Sequence, residues 1–290
     1  MQSGQFAAAA LASTWISRRV AANPLGKPVG IQLWTVNGPM QADAAGTLKK
    51  LRKIGYGVVE SAGFGKLTAK QFRQLLDDAG LACPSAHLSF DPDNLGPAFE
   101  DAHAVGAAYA TSGSLDALVL AKPARDAAKR AMSLDEAKRT AELTNRIGAA
   151  AKRAGLQYVY HNHAREFADQ GGGAFGYDVL LRETDPELVK FEVDCGWMIF
   201  AGHDPIAYFK KYPNRFPLIH VKDFLPASDR KSGEMLGAEL GHGVVDYKPI
   251  FAAAAQAGLK HYFAEQEGPF ARMDELQSAQ VDYDYLHSLD

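Results

Sequence analysis

Eight strand-like runs recur along this chain, separated by helical and loop segments, and that alternation leaves few folds open. The runs are "VGIQLWTV", "YGVVES", "CPSAHLSF", "AAYATSG", "LQYVYHNH", "LVKFEVD", "PLIHVKDF" and "HYFAEQE". Between them lie amphipathic stretches such as "AAGTLKKLRKIG", "TAKQFRQLLDDAG", "SLDEAKRTAELTNRIGAAAKRAG" and "DYKPIFAAAAQAG". Several begin at a capping residue (Thr68, Ser133, Asp246) and stop at a glycine (Gly55, Gly80, Gly155, Gly258), as helix ends do. Eight β-then-α units over about 260 residues match the arithmetic of a (β/α)8 barrel, the TIM-barrel architecture, as a single α/β domain. A doubly wound sheet would carry a phosphate-binding glycine turn after its first strand. Here that strand runs into "TVNGPMQADA", which has none. "GGGAFG" (Gly171 to Gly176) fits a dinucleotide fingerprint only by spelling, because no strand abuts it; it reads as a flexible loop over the barrel mouth.

Composition narrows the function classes. With 47% hydrophobic residues in 290, a sizeable core is available. A net charge of −3 gives no basic footprint for nucleic acid. The two cysteines, Cys83 and Cys195, sit in apolar runs and read as core thiols, which excludes a thiolate-rich metal site. No apolar run reaches the roughly 18 residues of a membrane span. Residues 1–26 stand apart from the 27–290 catalytic domain. "QFAAAALASTWI" resembles the apolar part of an export signal, and "VAA" before Asn23 resembles a cleavage site, but Arg18 and Arg19 follow the run instead of preceding it. If residues 1–22 are a signal remnant the protein is periplasmic or secreted; if they are a frayed alanine-rich helix it is cytoplasmic.

Barrel active sites form at the C-terminal ends of the strands. There, strand five offers His161 and His163, strand six Asp194, strand seven His220 and Lys222, and strand eight Glu265 and Glu267. Side chains alternate along a strand, so each same-strand pair shares a face. Singly, these are ordinary strand-end groups. Together, His161, Asp194, His220 and Glu265 recur at intervals of 33, 26 and 45 positions, about one βα unit each. A His/Asp/Glu set without thiolate suits one borderline divalent ion, Mn²⁺ first, with Mg²⁺, Co²⁺ or Zn²⁺ less favoured.

The pieces "YHNHAREF", "FEVDCGWMIFAGHDP", "LIHVKDF", "LGHGVVDY" and "FAEQEG" give the chain a further feature: over about residues 28–288 it resembles the xylose-isomerase-like TIM-barrel superfamily of sugar isomerases, epimerases and inosose dehydratases. The resemblance implies one metal held by strands five to eight, on His161, Asp194, His220 and Glu265 in this sequence. Two positions depart from the pattern. The strand-five stretch often reads Glu-Asn-His in the family and reads "HNH" here, which keeps a ligand at His161 but removes a carboxylate base. Three residues after Asp194, where epimerases often have histidine, stands Trp197, suited to stack on a sugar ring or pack the rim. Glu166 then stands as a replacement acid/base group, or as a solvated loop carboxylate.

The implied reaction is proton abstraction next to a carbonyl of a sugar or polyol, with a chelated divalent ion stabilising the enediolate. Protonation on the other face gives an epimer, on the adjacent carbon an isomer, and loss of a β-leaving group makes the enzyme a dehydratase or lyase. His163, Glu166 and Glu265 are the candidate proton carriers. Lys222 would neutralise developing charge, or pair with Glu192. Trp34, Glu60, His87 and Trp197 are candidates to line the substrate pocket, and His242 has no required role. A nuclease on the same barrel would need more ligands and a basic surface. A non-catalytic sugar-binding barrel would not need the four-residue set. Pairing of barrels into a homo-oligomer leaves no mark in the sequence.

Overall fold

The computed structural model describes residues 24–119, 130–229, 235–270 and 272–289. The stretch read as an export-signal remnant lies outside them. Seven parallel strands come first in the barrel wall: β1 (Gly30–Gln32), β2 (Val58–Ala62), β3 (Ala82–His87), β4 (Tyr109–Ser112), β5 (Gln157–His161), β6 (Val189–Asp194) and β7 (Leu218–Val221). A small antiparallel ribbon, β8 (Asp223–Phe224) with β9 (Gly237–Ala238), intervenes. The eighth wall strand, β10 (His261–Ala264), then pairs with both β7 and β1 and closes the barrel.

Closure demands a small residue where first and last strands meet. A Cβ on Gly30 would stand 2.5 Å from the Tyr262 carbonyl oxygen and 2.6 Å from the Phe263 ring. Inside, Val58, Val159, Leu218 and Phe263 form a compact apolar plug. The larger apolar core fills the space between the strands and the surrounding helices. Above the plug, register aligns Asp194 with His220 and His161 with Glu192, so the polar strand ends stand at matched levels.

The helices obey their local signals. Thr68 and Ser133 form reciprocal capping boxes with Gln71 and Glu136, and the Asp246 side chain accepts the Lys248 N–H. Gly55 and Gly80 occupy C-cap positions, while Gly155 and Gly258 follow the caps Ala154 and Ala257. Both cysteines are free and buried. Among the described residues no helix is long and apolar enough to cross a membrane.

Two strand boundaries differ from the sequence expectation. The first run ends at Gln32, whose side-chain oxygen accepts the Trp34 N–H and starts a 3-10 turn over Leu33–Val36. In the seventh run the Tyr247 hydroxyl contacts both the Lys222 N–H and its carbonyl at 2.7 Å, replacing ladder bonds and dividing β7 from β8. The glycine-rich loop also departs from expectation. Asp169 accepts the N–H groups of Gly171 and Gly173, so the loop is locally braced, and Gly173 lines a groove with Lys211 and Tyr212.

Candidate active site

Alternation along each strand turns one polar set into the barrel at its C-terminal end. β2 contributes Glu60, β3 His87, β5 His161, β6 Glu192 and Asp194, β7 His220 with Lys222 just beyond it, and Glu265 and Glu267 follow β10. His161, Asp194, His220 and Glu265 each offer a donor atom within 4.8 Å of the others, and all four are buried. A second group, His87, His161, Glu192 and His220, meets the same spacing and shares two histidines with the first.

His220 joins the two groups. Its Nε2 lies 2.6 Å from Glu60 Oε2 and 3.2 Å from Glu192 Oε2, while its Nδ1 lies 2.8 Å from Glu265 Oε2 and 3.9 Å from Asp194 Oδ2. Glu60 is itself held by Gln32 Nε2 at 2.8 Å and by the Ser85 hydroxyl, with no exposure to solvent. The carboxylate at Nε2 therefore orients the ring and leaves Nδ1 facing Asp194 and Glu265, as outer carboxylates do for metal-ligating histidines. Glu60, expected to line the pocket, lies beneath it. His87 partly does reach the surface of the site, between Glu60 at 3.2 Å and Glu192 at 3.0 Å.

Charges in this buried space shift one another. Burial disfavours the ionised form of every group here, but opposite charges outweigh it for several. Glu60 and Glu192 push His87 up to about 10 against burial. Glu192 and Glu265 hold His220 well above the usual imidazole range, again against burial. Glu265 is kept far below an ordinary carboxylate by Lys222 and His220, which overcome its desolvation. His161 moves the opposite way: burial, reinforced by the charge on His220, keeps it neutral. Burial and Lys222 push His163 down to about 4. Burial pushes Asp194 up to about 6, Lys222 opposing and Glu265 adding.

Lys222 Nζ is shared among three carboxylates, at 2.9 Å from Asp194 Oδ2, 2.9 Å from Glu265 Oε2 and 2.6 Å from Glu267 Oε1. Glu192, the alternative partner on the sequence reading, is not among them. Trp197 lies over the ammonium at 5.2 Å and its indole N–H donates to Glu267 Oε1 at 3.1 Å. Its backbone N–H caps onto Asp194 Oδ1 at 2.8 Å, which fixes that carboxylate's orientation. His163 stands beside His161, with ring centroids 4.9 Å apart, and 6.3 Å from the Trp197 ring.

Two candidates are not brought into this constellation. Glu166 accepts the Tyr160 hydroxyl at 2.8 Å and the His163 N–H at 3.0 Å, and is buried. Tyr160 points outward from β5 and packs its ring against Phe191 on β6, so Glu166 braces the loop behind the wall instead of facing the mouth. Trp34, half exposed on its 3-10 turn, lines a rim cleft of about 640 Å³ with Met40, Phe64 and Leu67. Glu192 was overlooked as a site residue. Its signal was present in "VKFEVD", where it stands two residues before Asp194 and so shares its face.

The donor set fits a divalent ion. His161 Nδ1 is buried and makes no hydrogen bond among the described residues, with Glu192 Oε2 3.4 Å away, although most buried polar atoms are bonded. The mixed imidazole and carboxylate donors match first-row divalent ions.

A family model described as xylose isomerase-like TIM barrel matches residues 48–280. Among curated relatives, inosose dehydratase from Clostridium tetani is 31% identical over 160 residues, 50% of this chain and 52% of that protein. Inosose dehydratase from Geobacillus thermodenitrificans is 33% identical over 144 residues, 44% of this chain and 46% of that one. The chain thus spans about half the length of the curated relatives it matches. A sugar phosphate isomerase/epimerase structure from Parabacteroides distasonis is similar over 91% of this chain and 94% of that one, with a TM-score of 0.70 and 26% identity. Family match, barrel closure and polar strand ends agree: the chain belongs to the xylose isomerase-like TIM barrel family.

Proposed function

We propose that this chain is a divalent-metal-dependent sugar isomerase or epimerase that removes a proton next to a carbonyl of a small sugar or polyol, through an enediolate. The convergence of His161, Asp194, His220 and Glu265 at the barrel mouth carries the reading. These four would hold the ion, with Mn²⁺ favoured by the donor types. A divalent ion bound there polarises the carbonyl and eases loss of the neighbouring proton. Lys222, one side chain from the ligands, balances negative charge that builds on the substrate oxygens. His163 keeps a neutral imidazole for substrate hydroxyls or a proton.

A second reading, dehydration of a keto-sugar or keto-inositol, draws support from two observations. Glu166 is bonded away from the mouth, which removes one candidate for a second proton carrier. The curated relatives are named inosose dehydratases. Incubating the Mn²⁺-loaded protein with keto-sugars and keto-inositols in D₂O separates the two by NMR. Deuterium beside the carbonyl in substrate or its isomer supports the first reading, and a new C=C with loss of water supports the second. Asp194→Ala should abolish stoichiometric metal in elemental analysis. Full occupancy in that variant would displace the metal from this site.

A further inference from the structure

We propose that Glu267 is the carboxylate that takes the substrate proton, an assignment that rests on the proton-abstraction chemistry above. The case begins with access. The side chains of Glu60, Glu192 and Asp194 have no exposed surface and that of Glu265 has 7%, whereas that of Glu267 has 37%. A substrate entering the mouth can reach Glu267 without displacing protein. The other four are sealed beneath it or committed to imidazoles and Lys222.

Position and orientation follow from β10. Glu267 stands two residues beyond Glu265, past the end of β10, and shares Lys222 Nζ with it. Lys222 Nζ at 2.6 Å and the Trp197 indole N–H at 3.1 Å both grip one oxygen, Oε1. Oε2 takes part in none of the hydrogen bonds or ion pairs found among the described residues. A carboxylate fixed through one oxygen and open at the other is arranged as a general base. The same lysine contacts Asp194 and Glu265, so Glu267 is held at a set distance from the donor atoms that would carry the ion. Histidine at position 161 and the turn of Glu166 away from the mouth leave the proton-carrying role without a strand-five carboxylate, and Glu267 supplies one from the opposite end of the set.

In the step, the C–H bond next to the carbonyl breaks and an O–H bond forms at Glu267 Oε2. The C–H electron pair becomes the new C=C, and the carbonyl π pair moves onto oxygen. Return of the proton to carbon restores the carboxylate, so no oxidant or further reactant is needed.

The test compares Glu267→Gln and Glu267→Ala with the unsubstituted protein, each loaded with Mn²⁺. Solvent deuterium exchange is read by NMR on whichever substrate the unsubstituted protein exchanges. Both variants should keep stoichiometric metal and the thermal midpoint. Exchange should fall by about 10²–10⁴-fold, and added formate should restore part of it in Glu267→Ala by occupying the vacated space. Exchange unchanged in Glu267→Gln overturns the assignment and leaves the proposed reaction standing. Metal lost together with exchange, or no recovery with formate, assigns Glu267 to structure and also overturns it. An unsubstituted protein that exchanges no proton with any carbonyl substrate sinks both the reaction and the assignment.

Discussion

Carboxylates face both ring nitrogens of His220, Glu60 at Nε2 and Glu265 at Nδ1, and Glu192 with Glu265 holds the ring well above the usual imidazole range against burial, which favours a proton on each nitrogen. Binding a cation at Nδ1 requires the second proton to leave, so protons and metal compete at this residue. His161 is not the point of competition, because burial and the His220 charge already hold it neutral. Mn²⁺ affinity, followed by calorimetry, should therefore weaken as pH falls, because a group held above its ordinary pKa is reprotonated early. Glu192→Gln removes a charge that raises His220, and should move the midpoint of that loss to lower pH. An unshifted midpoint in this variant would exclude His220 as the competing group. The two strand-five histidines should also fail differently. His161→Ala should lose metal and activity together. His163→Ala should keep metal and lose turnover by about 10²–10⁴-fold if its imidazole handles a proton, which elemental analysis and rate measurements on one preparation will separate.

Between strands, the segment "LGHGVVDY" shows how a motif legible in sequence can have a cause that is not. Its glycines were readable as a turn, but the partner was hidden 18 residues upstream. Asp223 accepts the N–H groups of Gly241, Gly243, Val244 and Val245, at 2.8–3.2 Å, as well as that of Phe224. A Cβ on Gly243 would sit 2.2 Å from Asp223 Oδ1. Gly243→Ala should therefore open this clamp and lower stability by at least about 2 kcal/mol, the scale of hydrogen bonds to a charged group, read as a shift in urea midpoint. The same loop is tied to the last helix, where Asp282 accepts the Leu240 N–H at 2.7 Å. Burial pushes Asp282 up to about 8, the Leu240 bond opposing and Glu239 adding. An unfolded aspartate titrates near ~4, so stability from this group is complete below about pH 4 and is lost as pH rises to about 8. Asp282→Asn keeps the acceptor and removes the charge. Its thermal midpoint relative to the unsubstituted protein should rise across that window and level off above it.

At the scale of the whole barrel, the alternation of runs was enough to read eight strands and their order, because each βα unit carries its own local signals. The four proposed ligands were legible for the same reason: strand ends in a barrel converge whatever their spacing. What sequence could not supply was side-chain direction outside the strands. Glu166 turned to Tyr160, Trp34 rose on a 3-10 turn, and Lys222 chose Glu267, each decided by a tertiary partner distant in sequence or by a local turn. Closure makes its own demand. Gly30→Ala puts a methyl group into the Tyr262 carbonyl and the Phe263 ring, and overpacking of this kind costs about 1–3 kcal/mol. Chemical denaturation should record that loss with the barrel still formed. The tie between Glu60 and His220 spans 160 residues of sequence, and Glu265 follows the last wall strand. During synthesis the half of the chain that emerges first holds Glu60 and His87, and the half that follows brings His161, Asp194, His220 and Glu265. The first half holds none of the four proposed ligands, and the set is complete only once translation has passed β10 and delivered Glu265, too late for a bound ion to anchor a wrong pairing of the early strands.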